Sequence, residues 1–201
     1  MRKSKAEAAE TRHRIVRTAA DEFRVKGIEG AGLAELMASA GLTHGGFYRH
    51  FASKDQLIAE AFSAAAASVK DKLGAFAADA EPGHGLEATV FGYLSAAHRD
   101  DPTFGCPIAA LGSELVRQDP ALRADATRHL EELVELISAQ LKRPSSAASR
   151  RKALSVLSTM IGALTLSRLV TDHALSDAIL EQAANDILAR QGASRASAKG
   201  A

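Results

Sequence analysis

Apolar residues recur along this chain at three- and four-residue intervals, the spacing of an amphipathic α-helix and not the alternation of a half-buried strand. Ile15, Val16, Ala19, Ala20 and Phe23 form the first such stripe, which predicts a helix from about Thr11 to Lys26 with Gly27 as a left-handed stop. Leu33, Leu36, Met37 and Ala40 share one face of a short second helix, Leu33 to Ala40, and Gly41 permits a sharp turn into a third over Leu42 to Tyr48. Ser53 followed by Gln56 reads as a capping box that opens a long fourth helix. Ile58, Phe62, Val69, Leu73 and Phe76 hold its phase until Glu81-Pro82-Gly83-His84-Gly85 breaks it.

The remaining segments follow the same rule. Leu86 to His98 predicts a fifth helix, closed by Asp100-Asp101-Pro102, and Pro107 to Arg117 a sixth. Asp119-Pro120 is a cap with proline at the first helical position of a seventh, whose stripe is Leu122, Leu130, Leu133, Val134, Ile137 and Leu141 and whose close is Arg143-Pro144-Ser145-Ser146. The eighth, about Ser149 to Thr171, is apolar on more than one side and carries Gly162 and Ala163, which admit a second backbone closely. Ser176-Asp177 is read as the cap of a ninth with Leu180, Ala183, Ala184, Ile187 and Leu188. The small, polar stretch after Arg190 is expected to be disordered.

Composition agrees with an all-α fold of about nine helices. Hydrophobic residues make up 46% of 201 positions, enough for a real core, while aromatics are only 4% and Trp is absent, which disfavours a sheet. A single cysteine, Cys106, excludes an intramolecular disulfide, and the Arg/Lys/Glu-rich start has no apolar secretory stretch, so the expected compartment is the cytoplasm. The most apolar segment, Ala153 to Val170, is interrupted by Ser155, Ser158, Thr159, Thr165, Ser167 and Arg168, so no membrane span is expected. Net charge is +1, but unevenly placed: residues 1–54 carry ten Lys/Arg against six Asp/Glu, and the rest fifteen against eighteen. The basic front is where a phosphate-binding module would lie.

Three short helices with a glycine turn before the last follow the helix-turn-helix plan, whose second member enters the DNA major groove. Here Thr43 and His44 offer hydrogen bonds, Gly45 and Gly46 keep the profile low, and Phe47 can turn inward. Ser53-Lys54 stands at the start of the fourth helix, where free N–H groups and the helix dipole already favour an anion, with Tyr48 and His50 as neighbouring contacts. Ordinary capping accounts for Ser53 alone; the combination points to DNA.

Ile15-x3-Ala19-Ala20-x2-Phe23-x3-Gly27, Leu36-Met37-x2-Ala40-Gly41-Leu42 and Gly46-Phe47-Tyr48-Arg49-His50-Phe51-x2-Lys54-x2-Leu57 resemble the DNA-binding domain of the tetracycline-repressor (TetR) family over about residues 10–60. The resemblance implies base-contact or groove-entry roles for Thr43, His44 and Gly45 and backbone-phosphate roles for Tyr48, His50 and Lys54. It departs at Gly32, where the family usually has Thr or Ser, so a hydroxyl cap is missing there. It also implies an N-terminal arm and helix-turn-helix domain over 1–53, a ligand-binding and dimerisation domain over 54–191, and a tail over 192–201. A homodimer would form through helices near 149–171 and 176–190, bind a pseudo-palindromic double-stranded operator as a repressor, and leave it on binding a small molecule or reactive electrophile.

The effector site is less legible. Phe62, Phe91, Tyr93, Phe104 and Met160 are candidate lining residues, though apolar residues at helical spacing also serve simply as core. Cys106, in Phe104-Gly105-Cys106-Pro107, is read at the start of the sixth helix, where the dipole favours a thiolate; the Gly-Cys step also looks like a subgroup of the family that includes electrophile sensors. A small buried core residue is the competing reading. His84, His98, His129 and His173 have no metal-ligand spacing, and no triad, phosphate loop or paired carboxylates stand out, so neither metal, cofactor nor enzymatic activity is expected. A nonspecific architectural DNA binder would need a larger positive field than +1 supplies.

Overall fold

A computed structural model describes residues 5–142, 144 and 146–190. Among these the chain forms nine α-helices and no strand: α1 (Lys5–Gly30), α2 (Leu33–Ser39), α3 (Lys54–Asp79), α4 (Gly85–Tyr93), α5 (Ala96–Asp100), α6 (Pro107–Leu115), α7 (Pro120–Ala139), α8 (Ala147–Leu169) and α9 (His173–Arg190). Two 3-10 segments, His44–Arg49 and Pro102–Phe104, complete it. The expected tail, together with Arg143 and Ser145 from the expected close of the seventh helix, lies outside the described residues.

The chain divides into two compact units. One runs to Val69 and takes in Asp101–Leu130; the other comprises Lys70–Asp100 and the chain from Glu131 onward. The core of the first is the stripe read from the sequence: Ile15, Ala19 and Phe23 of α1 meet Leu36 and Met37 of α2, then Phe47, Phe51, Leu57, Ile58 and Phe62, with Leu111 and Leu115 of α6 joining from later in the chain. Gly27 breaks α1 with φ 77° and ψ 167°, a conformation essentially confined to glycine, and the chain then makes one further turn through Gly30 instead of stopping. Gly41, at φ 71°, closes α2: its N–H bonds the Ala38 carbonyl and the Leu42 N–H that of Met37, both at 2.8 Å, the pattern of a Schellman motif.

That motif shifts the third helix. With the Leu42 N–H committed backward and Thr43 extended, helical turns begin at His44 and not at Leu42, and they are 3-10 turns running to Arg49. At α3 the Ser53 half of the capping box forms, its Oγ accepting the Gln56 N–H at 3.1 Å, while the Gln56 Oε1 reaches one residue further back and accepts the Ala52 N–H at 2.8 Å. Asp119 caps α7 through the N–H groups of Ala121 and Leu122, ahead of Pro120, as the sequence predicts.

In the second unit the predicted fifth helix is two. The chain breaks at Leu94-Ser95, where the Ser95 hydroxyl donates to the Gly92 carbonyl and accepts the His98 N–H, starting α5. Arg168 of α8 donates to the carbonyls of His98 and Arg99, satisfying groups that the end of a helix leaves exposed. The cap of α9 is Asp172, which accepts the Ala174 N–H at 2.9 Å, and not Ser176-Asp177. Those two are used sideways: the Ser176 hydroxyl donates to the Ser167 carbonyl at 2.7 Å, and the Arg99 guanidinium bonds both Ser176 and Asp177.

Candidate nucleic-acid interface

The segment His44–Arg49 has two unlike faces because its aromatic residues divide. Phe47 is fully buried, stacked on Phe51 with ring centroids 5.5 Å apart, whereas Tyr48 sets its edge on Phe47 and is 68% exposed. Thr43, His44, Gly45 and Arg49 are exposed with Tyr48, and the Thr43 side chain does not cap the segment. The result is an outward face of hydroxyl, imidazole, guanidinium and phenol held by an inward anchor. A Cβ placed on Gly45 would meet nothing within 4 Å, and its φ lies outside the left-handed region, so neither packing nor conformation requires glycine there. On Gly46 the same atom would lie 3.8 Å from Thr43 Oγ1 and 3.9 Å from Met37 Cε, in ordinary contact with the molecule itself.

His50 and Lys54 follow at the end of the segment and the start of α3. Both are half-buried. The Lys54 Nζ donates to the Ile28 carbonyl at 2.9 Å, which uses one of the three ammonium protons and leaves two for an outside acceptor.

What holds this end in place was not signalled by the sequence. The Arg12 guanidinium donates to the His50 carbonyl at 3.3 Å, pairs with Glu60 and lies over the Phe51 ring, 4.6 Å from its centroid. Gln56 in turn donates to Glu60 at 3.0 Å. Arg14 donates to the Ala40 carbonyl at the end of α2. The hydrogen bonds of Arg12 and Arg14 join residues 26 to 48 positions apart, beyond the reach of any local motif.

Residues 15–61 match bacterial regulatory proteins of the tetR family, and residues 82–186, more than half of the chain, match the LmrA/YxaF-like transcriptional regulator C-terminal domain. The chain belongs to the TetR family. A TetR transcriptional regulator from Chloroflexus aurantiacus is similar at 30% identity with a TM-score of 0.78, over 92% of this chain and 98% of that one. The HTH-type transcriptional repressor BepR of Brucella suis is 44% identical over 54 residues, 27% of this chain, and the HTH-type transcriptional regulator AcrR of Shigella flexneri 41% over 59 residues, 29% of this chain. These two matches span only 26% and 27% of the relatives' own length. The protein is thus a TetR-family transcriptional regulator with a helix-turn-helix front and a helical C-terminal domain, not a member of an enzyme family.

The residues expected to sense an effector are divided between the units. Phe62, Phe104 and Cys106 fall in the first, Phe91, Tyr93 and Met160 in the second. Phe62 borders a void of about 10 Å³ shared with Phe23, Arg24, Ile58, Pro107 and Leu111, room for about one water molecule. Phe104 is 61% exposed and Phe91 lies at the surface, while Tyr93 and Met160 are buried. Cys106 is fully buried at the N-cap of α6. Among the described residues no group of three or more His, Cys, Asp or Glu is placed to hold a metal ion, and no helix is long and apolar enough to cross a membrane.

Proposed function

We propose that this TetR-family regulator is a dimeric, cytoplasmic repressor that reads a pseudo-palindromic operator with Thr43, His44 and Gly45 against the bases and Tyr48, His50 and Lys54 on the phosphates. The observation that carries the reading is the outward face of His44–Arg49. It concentrates hydrogen-bonding groups around a glycine that the protein's own packing does not require. Lys54, one helical start further on, supplies a full positive charge beside the N–H groups of α3.

Dimerisation is supported by the α8–α9 pair. Gly162, Ala163, Leu166, Leu175, Ile179 and Ala183 border an open, mainly apolar groove of about 540 Å³, and Leu154, Leu166, Leu169 and Leu175 are exposed. A second copy of the same two helices, related by a twofold axis, would cover it and present two reading segments about 34–36 Å apart, one turn of DNA. We further propose that an effector acts through the C-terminal domain, which matches the LmrA/YxaF-like type over residues 82–186. Full burial of Cys106 favours a noncovalent ligand over direct attack by an electrophile. Unchanged release of operator by Cys106→Ser on electrophile treatment would agree with that.

The test is a mobility-shift titration with palindromic segments upstream of the protein's own and neighbouring genes. Lys54→Ala should weaken binding to every sequence and reduce the salt slope by about one, whereas His44→Ala should alter preference at one base position. Equal affinity for palindromic and random DNA would overturn the reading.

A further inference from the structure

The break in α1 at Gly27 is occupied. The Glu114 carboxylate, from the last turn of α6, reaches into it: Oε2 accepts the Ile28 N–H at 2.8 Å and the Glu29 N–H at 3.3 Å. Gly27 is required by its φ of 77°, and a Cβ there would stand 2.7 Å from Glu114 Oε1, so a side chain would also push the carboxylate from its place. The next link lies on the same peptide plane. The Glu29 N–H and the Ile28 carbonyl belong to one amide; Glu114 accepts from its nitrogen, and Lys54 donates to its oxygen at 2.9 Å. Each bond polarises the amide in the sense that strengthens the other. The Ile28 side chain is 2% exposed, buried in the core, so this amide is fixed to the body of the unit as well.

We infer that Glu114 is a positioning residue for DNA binding: it fixes the Ile28–Glu29 amide, the amide fixes the Lys54 ammonium, and the seating of α6 thereby sets how well Lys54 meets a phosphate. The inference rests on the assignment of Lys54 to the phosphate backbone. It gives α6 a defined route to the DNA-binding front, through one carboxylate. A displacement of α6 that withdraws Glu114 takes the carboxylate acceptor from the Glu29 N–H and so weakens and loosens the bond that the Ile28 carbonyl makes to Lys54.

Operator binding measured by fluorescence anisotropy across a salt series tests it, on the full chain, with five variants. Lys54→Ala should lower affinity about tenfold and flatten the salt slope by about one. Glu114→Ala should lower it several-fold in the parent but less than twofold in the Lys54→Ala background, because the effect passes through Lys54. Two conservative changes separate reach from charge and guard against a misfolded Glu114→Ala protein. Glu114→Gln, whose amide oxygen can accept the same N–H groups, should bind within twofold of the parent, whereas Glu114→Asp, one methylene short, should bind like Glu114→Ala. Equal losses for Glu114→Ala with and without Lys54, or no loss with Lys54 present, would overturn the inference and leave the phosphate assignment standing. Parental binding by Lys54→Ala would overturn that assignment, and the inference with it.

Discussion

Replacing Gly45 with alanine adds one methyl group at a point where the protein itself has nothing to clash with it. The built Cβ meets no atom within 4 Å, and φ is not positive. The folded state should therefore accept the change without strain while the unfolded chain loses freedom, a gain of about 0.4–1 kcal/mol. For a chain of this size that raises Tm by about 1–4 °C. Against DNA the same methyl is an overpacked contact costing about 1–3 kcal/mol, or roughly a 5- to 150-fold loss of operator affinity. Differential scanning fluorimetry and fluorescence anisotropy on one sample check both halves. Gly46→Ala is the internal control, because its methyl would lie against Thr43 and Met37 and not outward. A Gly45→Ala protein that is stabilised yet binds operator like the parent would refute the placement of Gly45 at the groove.

Leu166, 52% exposed beside the α8–α9 groove, is the site to test assembly: Leu166→Glu should convert a dimer to monomer in light scattering, with its helicity retained, and lower operator affinity at least tenfold. His98 gives the second unit a pH dependence. Burial, with Arg168 and Lys72 nearby, pushes its pKa down to about 4, against the hydrogen bond from its Nδ1 to the Tyr93 carbonyl, which works the other way. The folded state thus holds the ring neutral while the unfolded chain protonates it near 6.5, so the contribution is present above about pH 6.5 and is lost as pH falls toward 4, up to about 3 kcal/mol. His98→Asn, able to donate to the same carbonyl, should flatten the fall in Tm between pH 7 and 4.5; a parallel fall in both proteins would contradict the assignment.

The helices were legible because their apolar stripes face a core: Ile15, Ala19, Phe23, Leu36, Met37, Leu57 and Ile58 are buried, as their spacing requires. Caps were legible only where the side chain's nearest use was its own helix. Ser53 and Asp119 behave so, but Ser176 and Asp177, of the same residue types, bond α8 and Arg99, and Asp172 caps instead. Ser95 splits α4 from α5 inside a segment whose apolar spacing reads as one helix, because its hydroxyl serves both ends of the break at once. The third helical segment was found by its motif, yet its first residue moved by two positions, because the Gly41 closure takes the Leu42 N–H.

Glycines show why the rest of the site needed three dimensions. Gly27, Gly45, Gly92 and Gly162 are alike in sequence, each a small residue within or beside a helix. Gly27 is fixed by a positive φ and by the Glu114 carboxylate, and Gly92 by the Phe76 ring, whose carbons would stand 2.5 Å from a Cβ. Gly45 and Gly162 have open space where a Cβ would go and no positive φ. Glycine costs roughly 0.5–1 kcal/mol in a helix relative to alanine, so one that no internal contact uses asks for a reason outside the fold. For Gly45 the proposed reason is the DNA groove and for Gly162 the second copy's α8 and α9; alanine at each should stabilise the isolated fold and weaken the assembly that covers it.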